Sequence, residues 1–283
     1  MVVVFLLLTI TASVTQNCLF NTAGKKELTT DRQVYYFNTF ISLVCIAFFG
    51  LLLLKGKLSL FTALLGMVFG IMTAFRNVYN MQALANGPMN ITLLITNSST
   101  IIPTLSGVFF GERFSWLKLL FVFFLLGFIY LSLQKDNDVK ISKKWILLVT
   151  VAFLAQGIVG VLQKVHQTSN YKEEVSGFLF VAFILSYIYN RIRANGNGKT
   201  LNFQRKHVLL AVVCGLCTFC MNYLNLKLAG MLPSQVFFPL VNGSSMVLSQ
   251  IMSAVVFKEI PTKKQLIGLI GGISSLIAIC VVK

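Results

Sequence analysis

The chain has 283 residues, 56% hydrophobic and only 11% charged, with 25 phenylalanines and a mean hydropathy of +0.80. Soluble domains carry about 25% charged residues, so this composition excludes a water-soluble globule, and about 20 apolar residues per membrane-crossing helix leave no length for a separate catalytic domain. The 24 Lys+Arg against 8 Asp+Glu give +16, but the bases stand singly or in small groups between apolar runs, which excludes a nucleic-acid-binding surface and points to membrane lipid as the partner of these anchors.

Breaks at charge, Gly and Pro predict ten spans, at residues 1–22, 33–54, 58–85, 88–110, 114–134, 144–165, 174–190, 206–229, 233–257 and 264–282. The first run lacks the basic start and small-residue cleavage site of a signal peptide and is expected to remain. Span three carries Gly66 and Gly70, and the last span Gly268 and Gly272, each a G-x-x-x-G that lets helices approach closely. These are read as contacts within the chain, with a homodimer contact as the alternative. Pro88 and Pro233 open spans four and nine at a favoured first-turn position, while Pro103 and Pro239 lie inside those spans and predict kinks. Cys18, Cys45, Cys214, Cys217, Cys220 and Cys280 all lie in apolar runs, where Cys acts as a small hydrophobe; no disulfide framework and no metal site is expected from them.

The chain echoes itself. A shift of 147 lays Val14, Gln16, Lys25 and Glu27 over Val161, Gln163, Lys172 and Glu174. A shift of 145 lays Asn77, Asn80, Pro88 and Asn97 over Asn222, Asn225, Pro233 and Asn242. Polar residues recurring in order through apolar helices predict an internal duplication, residues 1–137 and 138–283. Five spans per copy is odd, so the second copy enters the membrane from the opposite side. The expected fold is an all-α polytopic membrane protein with ten transmembrane helices in a 5+5 inverted-topology repeat, a plan used by secondary transporters.

Two further stretches carry a family resemblance, GVFFGERFSWLKLLFVFFLLGFIYL around Glu112 and AVVFKEIPTKKQLIGLIGGISSLIAI around Glu259. Each is an apolar run, then a Gly-Glu-type turn, then a helix with spaced glycines; the second copy has Lys258 where the pattern has Gly. With them the whole chain resembles the EamA-like branch of the drug/metabolite transporter superfamily. That resemblance implies a central cavity lined by spans 1, 3, 4, 6, 8 and 9, with spans 5 and 10 outside and both termini cytoplasmic. Charge disagrees on orientation. The loops that would then be external hold 15 Lys and Arg, and the other side 8, which by the positive-inside rule favours the reverse. Compactness and short loops suggest a bacterial cytoplasmic membrane.

Polar groups within a bilayer usually face the protein interior. Arg76 lies ten residues before the turn after span three, so about 15 Å deep at 1.5 Å per residue. All eight acids, Glu27, Asp31, Glu112, Asp136, Asp138, Glu173, Glu174 and Glu259, fall at span ends or loops. A positive charge at mid-depth without a carboxylate disfavours cation-proton exchange and favours anionic or zwitterionic cargo. Asn77, Tyr79 and Asn80 stand around Arg76, with Asn222, Asn225, Asn97 and Asn242 at corresponding depths; Gln16, Asn17, Gln163 and Lys164 complete the candidate substrate-binding set. For each Asn, ligand contact competes with interhelical hydrogen bonding. Lys164 reads as a residue snorkelling to the interface, and His166 as a solvated one.

The expected function is a secondary transporter or facilitator of a small polar metabolite by alternating access. The alternative is translocation or export of an amphiphilic or lipid-linked compound or drug. No nucleophile–base pair or ligand cluster suggests an enzyme, and no cofactor is expected.

Overall fold

The structure, a computed structural model, describes residues 2–28, 30–111, 116–133, 142–195, 203–258 and 262–281. Glu112 and Glu259, and with them the turn role expected of that motif, lie outside the described residues. Every regular element among the described residues is helical: α1 Val2–Thr22 continued by a π-helical turn Ala23–Glu27, α2 Asp31–Leu53, α3 Leu60–Asn86, α4 Met89–Ser98, α5 Ile101–Ser106 continued by a 3₁₀ turn, α6 Trp116–Leu133, α7 Lys143–Thr168, α8 Val175–Ala194, α9 Arg205–Met231, α10 Ser234–Val256 and α11 Lys263–Val281. Among the described residues eight helical segments are long and apolar enough to cross a bilayer: Val2–Glu27, Asp31–Leu53, Leu60–Asn86, Met89–Phe110, Lys143–Thr168, Val175–Ala194, Arg205–Met231 and Ser234–Val256. Large apolar side chains such as Leu7, Leu51, Leu60, Leu147, Ile192 and Val255 are exposed. An apolar exterior on long helices needs hydrocarbon around it, so this is a multi-pass, all-α integral membrane protein.

Local sequence explains the helix ends. Thr30 caps α2 by accepting from the Gln33 amide, and Gln33 reaches back to the Thr30 amide as a capping box. Ser59 and Ser142 cap α3 and α7 through the Thr62 and Trp145 amides. Pro88 and Pro233 sit at the cap position itself, one residue before the first turn expected to hold them.

Pro103 does more than kink its span. It has no N–H to return to the Ser99 carbonyl, which instead accepts from Ile102 at 3.0 Å, while the Thr100 amide donates to Asn97 at 3.2 Å. The helix is thereby divided into α4 and α5 around Ser99 and Thr100. Pro239 lies within the continuous α10, so that interior proline produces no such division.

Glycine sets the closest approach, between α3 and α8. A Cβ on Gly66 would come 2.8 Å from the Phe178 carbonyl oxygen, and one on Gly70 would fall onto the Ala182 carbonyl. The G-x-x-x-G of span three is thus a contact within the chain. Aromatic rings fill the neighbouring space, with Phe49 stacked on Phe183 at 5.7 Å and Phe69 against Phe178 at 4.8 Å. At the last span, a Cβ on Gly271 would enter the Phe128 ring, so α11 lies close on α6.

The helix ends gather at two opposite faces. On one, Glu27 accepts from Lys206 at 2.6 Å and from His207 at 3.3 Å, Gln82 donates to Asp31 at 2.8 Å, and the Arg32 Nε donates to the Ala194 carbonyl at 2.9 Å. On the other, the Ser59 amide and hydroxyl donate to Glu174 at 2.9 and 2.7 Å, and the Phe61 and Tyr171 rings lie 5.5 Å apart. Burial pushes the Glu174 carboxyl up, but hydrogen bonds from Thr62 and from the Ser59 amide and hydroxyl outweigh it and hold the carboxyl below its ordinary range.

A carboxyl depressed in the folded state stabilises it above the unfolded value and loses that contribution as pH falls through the folded one. Wild type is therefore expected to exceed Glu174→Gln in stability at neutral pH, with the gap closing below about pH 4.3, the ordinary glutamate value. Thermal unfolding across pH checks this; a gap constant with pH would mean the tie does not depend on the charge.

Candidate functional site

The polar residues converge at mid-depth. Ser13, Gln16, Asn17 and Phe20 lie one turn apart along α1, so one stripe of this helix reaches the interior. Facing it are Arg76, Asn77 and Asn80 of α3, Thr96 and Asn97 at the end of α4, Gln156 of α7, Asn225 of α9 and Asn242 of α10. Together they enclose a cavity with about 570 Å³ of empty volume, its open part included. A second chamber of about 360 Å³, counted the same way, shares Arg76, Gln156, Asn225, Val241 and Asn242 with the first. It continues past Gln163, the Ser99–Thr100 break and Pro103 to Phe237 and Phe238.

Arg76 is the one charged residue in either lining among the described residues. The residue is 7% exposed. Nε and Nη2 both donate to the Asn77 Oδ1, at 3.1 and 3.0 Å. One neutral acceptor engages two of the five guanidinium donors, and none of the ion pairs among the described residues involves Arg76. The charge is held in a fixed fork without being neutralised, which suits a carboxylate, phosphate or similar anion.

The amides around it are only partly satisfied. Asn242 Nδ2 donates to the Thr100 Oγ1 at 2.8 Å, and Gln16 Nε2 donates to the Thr218 Oγ1 at 2.5 Å. The Oδ1 atoms of Asn80 and Asn225 and the Nδ2 of Asn97 are buried without a protein partner. Leaving a buried polar group unmatched costs about 1–3 kcal/mol, and these three atoms lie on residues that border the cavity. A ligand or water offering both donors and acceptors relieves that cost.

Of the residues singled out in the sequence, Arg76, Asn77, Asn80, Asn97, Gln16, Asn17, Asn225 and Asn242 line the first chamber, and Gln163 the second. Three lie outside both linings. Tyr79 packs against the apolar cluster of Ala83, Ile91, Trp145, Leu148 and Val149 and stands edge-on to Phe75 at 5.9 Å. Asn222 returns its Nδ2 to the Thr218 carbonyl at 2.8 Å within α9. Lys164 does not snorkel: it is buried, with Nζ 3.5 Å from the Ala229 carbonyl. His166 is also not solvated, being buried with its ring 4.4 Å from Phe178. Conversely, Gln156 borders both chambers and went unremarked in the sequence. The signal was there: it lies seven residues before Gln163, two turns along the same face of α7. The described cysteines are free, and no group of His, Cys, Asp or Glu suited to a metal occurs among the described residues.

No protein-family model matches the chain, and no curated protein does. In structure, 28 solved chains match it. One of them, a crystal structure, superposes with a TM-score of 0.60 over 95% of both chains at 15% identity, a likeness of fold.

Proposed function

We propose that this protein is a secondary transporter or facilitator of a small polar metabolite, anionic or zwitterionic, and a member of the EamA-like branch of the drug/metabolite transporter superfamily. The observation that carries the reading is the cavity: one unneutralised guanidinium at mid-depth, ringed by carboxamides from helices of both halves. Among the described residues the walls are made of amides, hydroxyls and apolar side chains around that one charge, a lining suited to binding and orienting a polar solute.

The finer architecture belongs to the same proposal: ten transmembrane helices forming a 5+5 inverted repeat, residues 1–137 and 138–283, in a bacterial cytoplasmic membrane. Packing partners support the repeat. α1 lies on α9 as α7 lies on α3, and α2 meets α9 as α8 meets α3. Glu27 ties to Lys206 and His207 at the start of α9, while Glu174, its counterpart at a shift of 147, ties to Ser59 and Thr62 at the start of α3. Exchanging the halves preserves the pattern. Two such units with a polar site between them are suited to alternating access, in which one unit rocks against the other around the bound substrate. Breaking one set of ties would open one face while the other set holds the opposite face closed.

The test is flux. Purified protein reconstituted in liposomes is expected to exchange at least one anionic or zwitterionic metabolite from a broad panel, with cationic and lipid-linked compounds inactive. Failure of every member overturns the function, and activity confined to headgroup-bearing amphiphiles replaces it with lipid-linked translocation.

A further inference from the structure

The two faces of the bundle are not electrically alike. The contacts fix which ends share a face: Glu27 with Lys206 and His207, Asp31 with Gln82, and Arg32 with Ala194. Phe257 packs into the same cluster as Phe20 and Ala194, which brings the end of α10 to this face. Trp145, donating to Thr92 at 3.0 Å, brings the starts of α7 and α4 there too. The opposite face gathers Ser59 with Glu174, Phe61 with Tyr171, and the start of α1 with Leu228, Ala229 and Phe237.

Among the described residues the first face carries twelve Lys and Arg, within 25–32, 143–144, 191–193, 205–206 and 258–264, against two acids, Glu27 and Asp31. Ten of the twelve are exposed. Both acids are already engaged within the protein, Glu27 by Lys206 and His207 and Asp31 by Gln82. The opposite face and the helical turns next to it carry six bases, Lys55, Lys57, Lys118, Lys164, Lys172 and Lys227, against Glu173 and Glu174. Aromatic rings stand under the first face's charges, with the Arg191 and Arg193 guanidinium carbons 5.5 and 5.4 Å from the Tyr36 and Tyr35 ring centres. Tyr paired with Arg at a helix end is the composition of a membrane–water interface.

We propose that this basic face is the cytoplasmic one and that it seats on the anionic phospholipid headgroups of the inner leaflet. Positive charge near short loops is retained on the cytoplasmic side during insertion, and the negative surface potential of that leaflet attracts it once there. The start of α1 then lies at the external face, opposite to the orientation that the family resemblance implies. The inference needs only the membrane-spanning fold and stands whether or not the cavity carries a metabolite.

Impermeant maleimide labelling decides the orientation. In a chain whose native cysteines are replaced, expressed in bacterial cells, Lys26→Cys, Lys144→Cys and Lys264→Cys are expected to label only after the membrane is permeabilised, and Lys57→Cys and Lys172→Cys in intact cells. The reverse pattern, or labelling of both sets in intact cells, overturns it. The native chain provides the second measurement, independent of those replacements. In vesicles of phosphatidylcholine its unfolding temperature is expected to rise when phosphatidylglycerol is added. High salt is expected to abolish that rise, as is joint replacement of Lys25, Lys26, Lys143 and Lys144 by Gln. A temperature indifferent to phosphatidylglycerol overturns the headgroup contact, even where labelling finds this face inside.

Discussion

Arg76→Gln is expected to abolish recognition of anionic cargo while leaving the fold intact. In the native protein, detergent-solubilised and heated, an anion or zwitterion at 100 times its Kd raises stability by about 2.7 kcal/mol. The variant keeps a hydrogen-bonding side chain of similar reach but loses the charge. Hydrogen bonds to a charged group are worth about 1.5–3 kcal/mol each, so losing a forked pair weakens binding by two orders of magnitude or more, on the scale of about tenfold per 1.4 kcal/mol. The ligand-dependent rise in unfolding temperature should therefore disappear at concentrations that saturate wild type. Arg76→Lys is expected to recover part of it, since a point charge returns without the planar fork. Without ligand, Arg76→Gln is expected to be no less stable than wild type, because a buried charge without a carboxylate partner is a cost to the fold. If anions stabilise native and variant equally, Arg76 is a packing residue and the cavity's positive charge does not select its cargo.

Gly70→Val is expected to have the largest effect on stability. The atom that a Cβ would meet is the Ala182 carbonyl of α8, which is backbone and cannot rotate away. α3 and α8 must separate, and α3 carries Arg76, Asn77 and Asn80 into the cavity. Overpacking ordinarily costs about 1–3 kcal/mol and occasionally more; a backbone collision belongs at or above the upper end. Gly127→Ala is the control, since no atom of the described residues lies within 4 Å of the added one and alanine favours helix. A large fall in unfolding temperature for Gly70→Val with no fall for Gly127→Ala is the expected result. Equal behaviour of the two would mean that the α3–α8 approach is not needed for stability.

The membrane class, the helix ends and the central cation were legible in the sequence because each depends on a local quantity. Length and hydropathy select the spans, capping residues and prolines stop them, and the count from Asn86 back to Arg76 gives its depth. The amide positions were also legible as a set, since Asn and Gln recur in order at shifts of 145 and 147. Which member of each set faces the cavity was not. Asn222 and Asn225 share a helix face by spacing, yet Asn225 borders the cavity and Asn222 bonds back to its own helix. Tyr79 lies between two cavity residues in sequence and packs against the apolar cluster around Trp145 instead. In a soluble protein the apolar stripe of a helix reports its inward face. In a bilayer both the lipid and the neighbouring helices are apolar, so hydrophobic periodicity does not fix the rotation of a helix about its axis.

Tertiary packing decided that rotation, and with it the fates of Lys164 and His166. From sequence, a lysine and a histidine near a helix end belong in water; here the Ala229 carbonyl and the Phe178 ring, both from other helices, close over them. The sequence by itself determined a membrane protein with a buried cation and many amides. Only the tertiary structure decided which amides surround that cation, because that depends on rotation and close approach between helices distant in the chain.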